Sequence, residues 1–200
     1  MLRVLLGLLC LLSWRGAARA EVVEQIIAIV DGHLLFLSDL ERHRTFFESQ
    51  EVVPPPPDDW VARLIDEQLL DVEARKFIPE APSDAEVDAR MAQLRVRFSD
   101  GSFEAALRAT GWSETGLKDA LRRHLWIERL LRERVSSFVF VSQESVDAYN
   151  QAHPDAYPGL PKLDVQRAIR EHLEAEKERT KRQDYLQRLR AKAIIQVNPR

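Results

Sequence analysis

A chain of 200 residues with 29 Lys and Arg, 32 Asp and Glu and a net charge of −3 is long enough to build a core by packing alone. It carries no basic block that would hold a phosphate backbone, which argues against nucleic acid as a partner. One cysteine, Cys10, excludes an internal disulfide.

Arg3, an apolar run over 4–12 and an A-x-A stretch at Ala18-Arg19-Ala20 form the three parts of an export signal, with cleavage expected after Ala20. The competing reading, an uncleaved anchor, asks for about 20 apolar residues, and Arg15 and Arg19 interrupt this run. Cys10 sits inside the apolar stretch behind leucines, the wrong place for a lipidated cysteine. Removal of residues 1–20 takes out three arginines and no acid, so the charge moves from −3 to −6. The thiol goes too, and with it any thiol nucleophile or zinc-thiolate site. No later run is long enough to span a bilayer.

Val22 to Val30 is rich in β-branched residues. Asp31-Gly32 is a hairpin signal, because both central positions of a two-residue turn need positive φ. His33 to Leu37 returns as a strand, and Ser38-Asp39-Leu40-Glu41 has the spacing of a capping box. A hairpin therefore runs into a helix ending near Gln50. Pro54 to Pro57 form a stiff connector, and a helix restarts at Asp58 or Asp59 with Val61, Ile65, Leu69 and Val72 as its apolar stripe. Pro79 and Pro82 end it.

Ser83-Asp84-Ala85-Glu86 is a second capping box, opening a helix with Val87, Met91, Leu94 and Phe98 on one face. A short helix over Phe103 to Ala109 follows. Ser113 caps a longer one carrying Leu117, Leu121, Leu125, Ile127, Leu130 and Leu131. Phe138 to Val141 reads as extended chain, and Ser142 opens a small helix with Val146 and Tyr149. A Pro- and Gly-rich loop leads to a final helix from Leu163 to about Lys192. Val165, Ile169 and Leu173 mark its start, and Tyr185, Leu186 and Leu189 its end. Between them, residues 174–184 are polar nearly all round, which describes a solvated helix or a bridge over a gap. Ala193 to Val197 favours a strand. A lone terminal strand needs a partner, so it is expected to join the N-terminal hairpin.

The fold class is therefore mostly α. It is a multi-helix domain with a small N-terminal β-hairpin, a long C-terminal helix and a C-terminal strand that joins the hairpin.

The five histidines show no i, i+4 pair and no H-E-x-x-H, so no metal site is expected. No nucleophile elbow, phosphate loop or dinucleotide fingerprint is present, so no catalytic residue and no cofactor is expected. The acids Asp58, Asp59 and Glu86 sit at helix starts, where the macrodipole explains them. Most aromatics, among them Trp60, Phe138 and Phe140, are expected inside. Candidates for a greasy, client-binding surface are Phe46, Phe47, Met91, Phe98, Trp112 and Trp126.

The segment VVEQIIAIVDGHLLFLSDLE resembles the opening of SurA-type periplasmic chaperones. RLIDEQLLDVEA, PSDAEVDARMAQL, FEAALRATGWSETGLKDALRRHLWIERLL and VSQESVDAYNQAHPDAYP resemble the same chaperone domain, and VQRAIREHLEAEKERTKRQDYLQRLRAKAIIQV is similar to its closing helix and strand. The resemblance implies a division into a signal peptide over 1–20, a chaperone core over 21–152, a loop over 153–162, and a C-terminal helix and strand over 163–200 that complete the core. Relatives usually insert parvulin-type prolyl isomerase domains at that loop; ten residues cannot form one, so isomerase activity is not carried over. The resemblance implies a periplasmic, ATP-independent holdase without cofactor, whose partners are unfolded envelope or outer-membrane proteins. A prolyl isomerase-related protein and a dedicated assembly partner of one envelope complex remain the alternatives.

Overall fold

The structure is a computed structural model that describes residues 24–48, 57–98, 102–109 and 111–198. The expected export signal and the prolines 54–56 lie outside the described residues. Strands β1 (Ile26–Val30) and β2 (His33–Phe36) form a hairpin that enters α1 (Leu37–Glu48). Helices α2 (Pro57–Phe77), α3 (Asp84–Val96), α4 (Ser102–Ala109), α5 (Glu114–Arg134), α6 (Gln143–Ala152) and α7 (Lys162–Arg190) follow, and β3 (Ile195–Val197) closes the chain.

The turn is built as its dipeptide dictates: Asp31 has φ 48° and Gly32 φ 83°, the left-handed pair that matches strand twist. The sheet order is β2-β1-β3, all antiparallel. The terminal strand therefore does pair with the hairpin, opposite Ala28, Ile29 and Val30. Asp31 N donates to Ile194 O at 2.9 Å and Asn198 N to Ile27 O at 3.0 Å, extending the ladder at both ends.

The sheet packs on α2. Ile27, Ala28, Val30 and Leu35 bury against Trp60, Leu64, Ile65 and Leu69, with Leu189 and Ile195 at the margin. Further along α2, Leu70, Ala74 and Ile78 meet Ile127, Leu130 and Leu131 of α5, covered by Tyr185 and Leu186 of α7. A third cluster joins α3, α4 and α5 through Val87, Met91, Leu94, Phe103, Leu117 and Leu121. The smallest joins α6 to the start of α7 through Val141, Val146 and Ile169.

Four local expectations need correction. Helix α1 begins at Leu37, two residues before the Asp39 start that a Ser38 cap would give, so Ser38 lies in its first turn and bonds Glu24 rather than capping. Asp39 takes the reaching-back role instead, its Oδ2 accepting from Phe36 N at 3.0 Å. Pro57 is not connector but the first residue of α2, a position whose N–H is unused in any helix. Val72 is exposed and its neighbour Asp71 is buried, because Leu70 and Ala74, not Val72, face α5; Arg75 Nε satisfies the Asp71 carboxylate at 3.0 and 3.1 Å.

The remaining caps form where the sequence places them. Ser83 and Glu86 make both bonds of the capping box, and the Oγ atoms of Ser113 and Ser142 accept from Gly116 N and Ser145 N at 3.0 and 3.2 Å. Glu86 also pairs with Arg129 of α5, and Arg129 Nη1 reaches Glu80 O at 3.0 Å. The Ser83 amide, then Arg129, hold the Glu86 carboxyl at about 2.

Helix α7 touches core only near its two ends. In between, its polar side chains bind the chain that links α5 to α6. Lys177 Nζ donates to Phe140 O at 3.0 Å, Lys181 to Phe138 O, Arg170 Nη1 to Val141 O at 2.7 Å, and Ser136 Oγ donates to Glu178 at 2.6 Å. The polar stretch is thus a bridge that grips main-chain carbonyls.

Leu130→Ala, at a fully buried position, is expected to lower unfolding free energy by about 2–5 kcal/mol. Val96→Ala, at an exposed one, should stay within about 0.5 kcal/mol; urea titration measures both. Glu86 has a folded pKa below its unfolded value of 4.5, so its contribution is present above pH 4.5 and is lost as pH falls toward 2. Glu86→Gln should therefore flatten the pH dependence of stability across that window and leave its slope above pH 6 unchanged.

Candidate functional site: a groove between α2, α5 and α7

Two adjoining depressions, about 240 and 220 Å³ in volume, lie along α2 and α5 and share Glu67 and His124. The first is lined by Asp39 and Arg42 of α1, Leu64 of α2, Trp112, and Gly116, Ala120 and Arg123 of α5. The second continues past Leu70 and Ile127 to Arg182 and Leu186 of α7. Together they make one groove in which leucines, Ile127 and Trp112 alternate with charged side chains.

The helical period explains why it is open. Gly116, Ala120, Arg123 and Ile127 recur at 4, 3 and 4, so they share one face of α5. Two of them carry almost no side chain, which leaves a trough where larger residues would close onto α2. At Gly116 a Cβ would crowd the capping Ser113 Oγ at 3.1 Å and meet the Trp112 indole at an ordinary 3.5 Å.

Two nitrogens of this groove's lining residues, Trp112 Nε1 and Arg123 Nε, are buried with no acceptor among the described residues. Arg123 Nε is 3.9 Å from the nearest Asp71 oxygen, beyond hydrogen-bond reach. A buried donor left unpaired costs stability. At the shared waist, His124 Nε2 lies 3.3 Å from Glu128 Oε1. That contact, with the nearby charge of Arg90, holds the Glu128 carboxyl below its usual value against the effect of burial. On the α7 side, Tyr185 hydroxyl donates to Glu73 at 3.4 Å. Burial, then the Glu73 charge, pushes its pKa up to about 12, so the hydroxyl stays a donor.

Of the residues expected to offer a client surface, Trp112 lines the groove. Met91 is core, only 3% exposed, wedged between Val87 and Leu94 of α3 and the leucines of α5. Phe98 is half-buried edge-on to Phe103, with centroids 5.4 Å apart. Trp126 is half-buried too: its Nε1 donates to Ile78 O at 2.9 Å, and Arg75 lies over its ring. The side chains of Phe46 and Phe47 lie outside the described residues. Phe138 and Phe140, expected inside, are 65% and 76% exposed. The 3₁₀ turn Ser136–Phe138 and the grip of α7 on their carbonyls turn both rings outward. Ala120, Arg123 and Arg182 were missed, although the paired small residues on α5 were a readable signal. Among the described residues, no three His, Cys, Asp or Glu side chains converge on a cation site. No described helix is long and apolar enough to cross a membrane.

This is a mostly α-helical domain in which a three-stranded sheet joins the chain ends and a groove runs beneath the last helix. The chain has the fold of SurA-like chaperones and resembles SurA chaperones in sequence. It is 26% identical over 152 residues to chaperone SurA of Alkalilimnicola ehrlichii, covering 72% of this chain and 35% of that protein. It is 28% identical over 142 residues to chaperone SurA of Pseudomonas aeruginosa, covering 64% and 34%. The chain thus matches about a third of the length of these relatives. A solved structure of the SurA-like chaperones PEB4 and Cj1289 of Campylobacter jejuni aligns with a TM-score of 0.55 at 12% identity, over 88% of this chain and all of that one. No family model matches the chain.

Trp112→Phe and Trp126→Phe remove the same ring volume, but only the second breaks a hydrogen bond. Trp126→Phe strands the Ile78 carbonyl, so it is expected to cost about 1 kcal/mol more than Trp112→Phe in urea unfolding. Equal losses would mean that the Trp112 N–H is satisfied in solution.

Proposed function

We propose that this chain is a periplasmic, ATP-independent holdase that binds extended apolar segments of unfolded envelope or outer-membrane proteins. The observation that carries this reading is the groove along α2 and α5, which brings Leu64, Trp112, Leu70, Ile127 and Leu186 together with charged side chains. An extended polypeptide supplies apolar side chains for Leu64, Leu70, Ile127 and Leu186 and polar main chain for the charged residues beside them. The likeness to SurA chaperones supports the same class of client and the same compartment, and an export signal over 1–20 would deliver the chain there.

The energetics fit a holder that releases without a nucleotide. A client burying about 600 Å² of apolar surface gains roughly 15 kcal/mol gross. Lost freedom and ordering offset about 4–15 kcal/mol of it, leaving weak, reversible binding. Exposed Phe138 and Phe140 extend the greasy surface outside the groove.

Helix α6 passes into α7 through residues 153–161, too few for a folded domain of about 50 residues or more at that point.

Ala120→Trp fills the trough without deleting a packed group. It is expected to leave the circular dichroism spectrum unchanged and to weaken suppression of aggregation of a urea-unfolded outer-membrane protein by about tenfold. Undiminished suppression by this variant would remove the groove from the account.

A further inference from the structure

The bond pattern of the sheet leaves one edge open. Ladder bonds to β1 come from Ile194 and Asn198, so by antiparallel alternation the middle bonded residue is Gln196, opposite Ile29. Ile195 and Val197 lie between these positions and direct their N–H and C=O groups away from β1. β3 is the last strand on its side, and no described residue pairs with that outer row.

Natural edges are usually guarded by a charge, a proline or a bulge. Ile195, Gln196 and Val197 include none of these. The residues around the edge are greasy instead, with Ile194 70% and Val197 56% exposed. Just before the strand stands Lys192, exposed and without an ion-pair partner among the described residues. Arg190, by contrast, is held by Asp66 at 2.6 Å.

We propose that the outer edge of β3 is a second binding site, at which an extended, apolar segment of non-native polypeptide carrying an acidic residue adds as a fourth strand. The inference rests on the holdase reading and gives it a second contact. Ile195 and Val197 offer two donors and two acceptors at strand pitch, and only main chain matches such a row. Lys192 selects the acid. A second copy of this chain is the poorer occupant: three residues of strand bury far less than the roughly 1,000 Å² of a specific interface. A short edge suits brief capture of a client that the groove also holds.

The test uses the chain without residues 1–20 and a synthetic peptide of about ten residues, alternating valine and threonine with a terminal glutamate. A control peptide is N-methylated at alternate amides so that it cannot bond as a strand. Amide hydrogen exchange at Ile195 and Val197 should slow about tenfold with the first peptide and not with the second. Val197→Pro removes only an outward N–H, which an edge strand tolerates. It should weaken peptide binding about tenfold while exchange at Gln196 and Asn198 stays slow, and Val197→Ala should change binding less than threefold. Protection confined to the amides of Gly116 to Ile127 would overturn strand addition and leave the groove reading standing. No protection anywhere, with no suppression of aggregation, would overturn both. Slow exchange at Ile195 and Val197 that rises with protein concentration and needs no peptide would assign the edge to self-pairing and overturn the proposal.

Discussion

Three residues of strand hold this architecture shut. Pairing of β3 with β1 joins positions far apart in sequence, and the loop it closes contains every described helix. Closing so long a loop costs entropy that grows only slowly with length, and one short strand cannot supply the return alone. The return comes from burial beside it. Leu189, Ala193 and Ile195 pack on the sheet core, Arg190 binds Asp66 and Ala62 O of α2, and Asp31 Oδ1 accepts from Ile194 N at 2.7 Å. The turn aspartate thus serves twice, in its left-handed backbone and in its side chain. With the end of α7 anchored there, Arg182 and Leu186 lie against the α2–α5 pair, and the groove acquires its third wall.

The polar middle of α7 follows from the same constraint. The helix runs from the small α6 cluster to the sheet, two bodies with no continuous apolar surface between them. A greasy stripe there would have nothing to bury against. Two lysines and Arg170 instead bond carbonyls of the α5–α6 link, Glu178 accepts from Ser136, and the cost is that Phe138 and Phe140 face solvent. In a protein that must stay monodisperse such rings are a liability. In one that receives unfolded chains they add area.

Much of this was legible from residues alone. Asp31-Gly32, the serine caps at 83, 113 and 142, and the apolar tail announce themselves because each depends on local chemistry. The readings that failed depend on neighbours. Val72 and Asp71 are adjacent, and only the position of α5 decides which is inside. Met91 looks adaptable on a helical wheel but meets α5 from α3. Ser38 and Asp39 both suit a helix start, and it is Asp39, bonding back to Phe36 N, that sets it. The groove was half legible: small residues at 116 and 120 mark a trough, whereas the unpaired nitrogens of Trp112 and Arg123 exist only once the helices are packed.

The claim beneath all of this is that the sheet joining the chain ends is a firm part of the core. Native-state hydrogen exchange at Ile29, Asp31, Gln196 and Asn198 tests it most directly. The account predicts that these amides open with the same free energy as the buried turns of α2, in one cooperative unit. Exchange at Gln196 and Asn198 at the rate of a free tail, with α2 still protected, would contradict it.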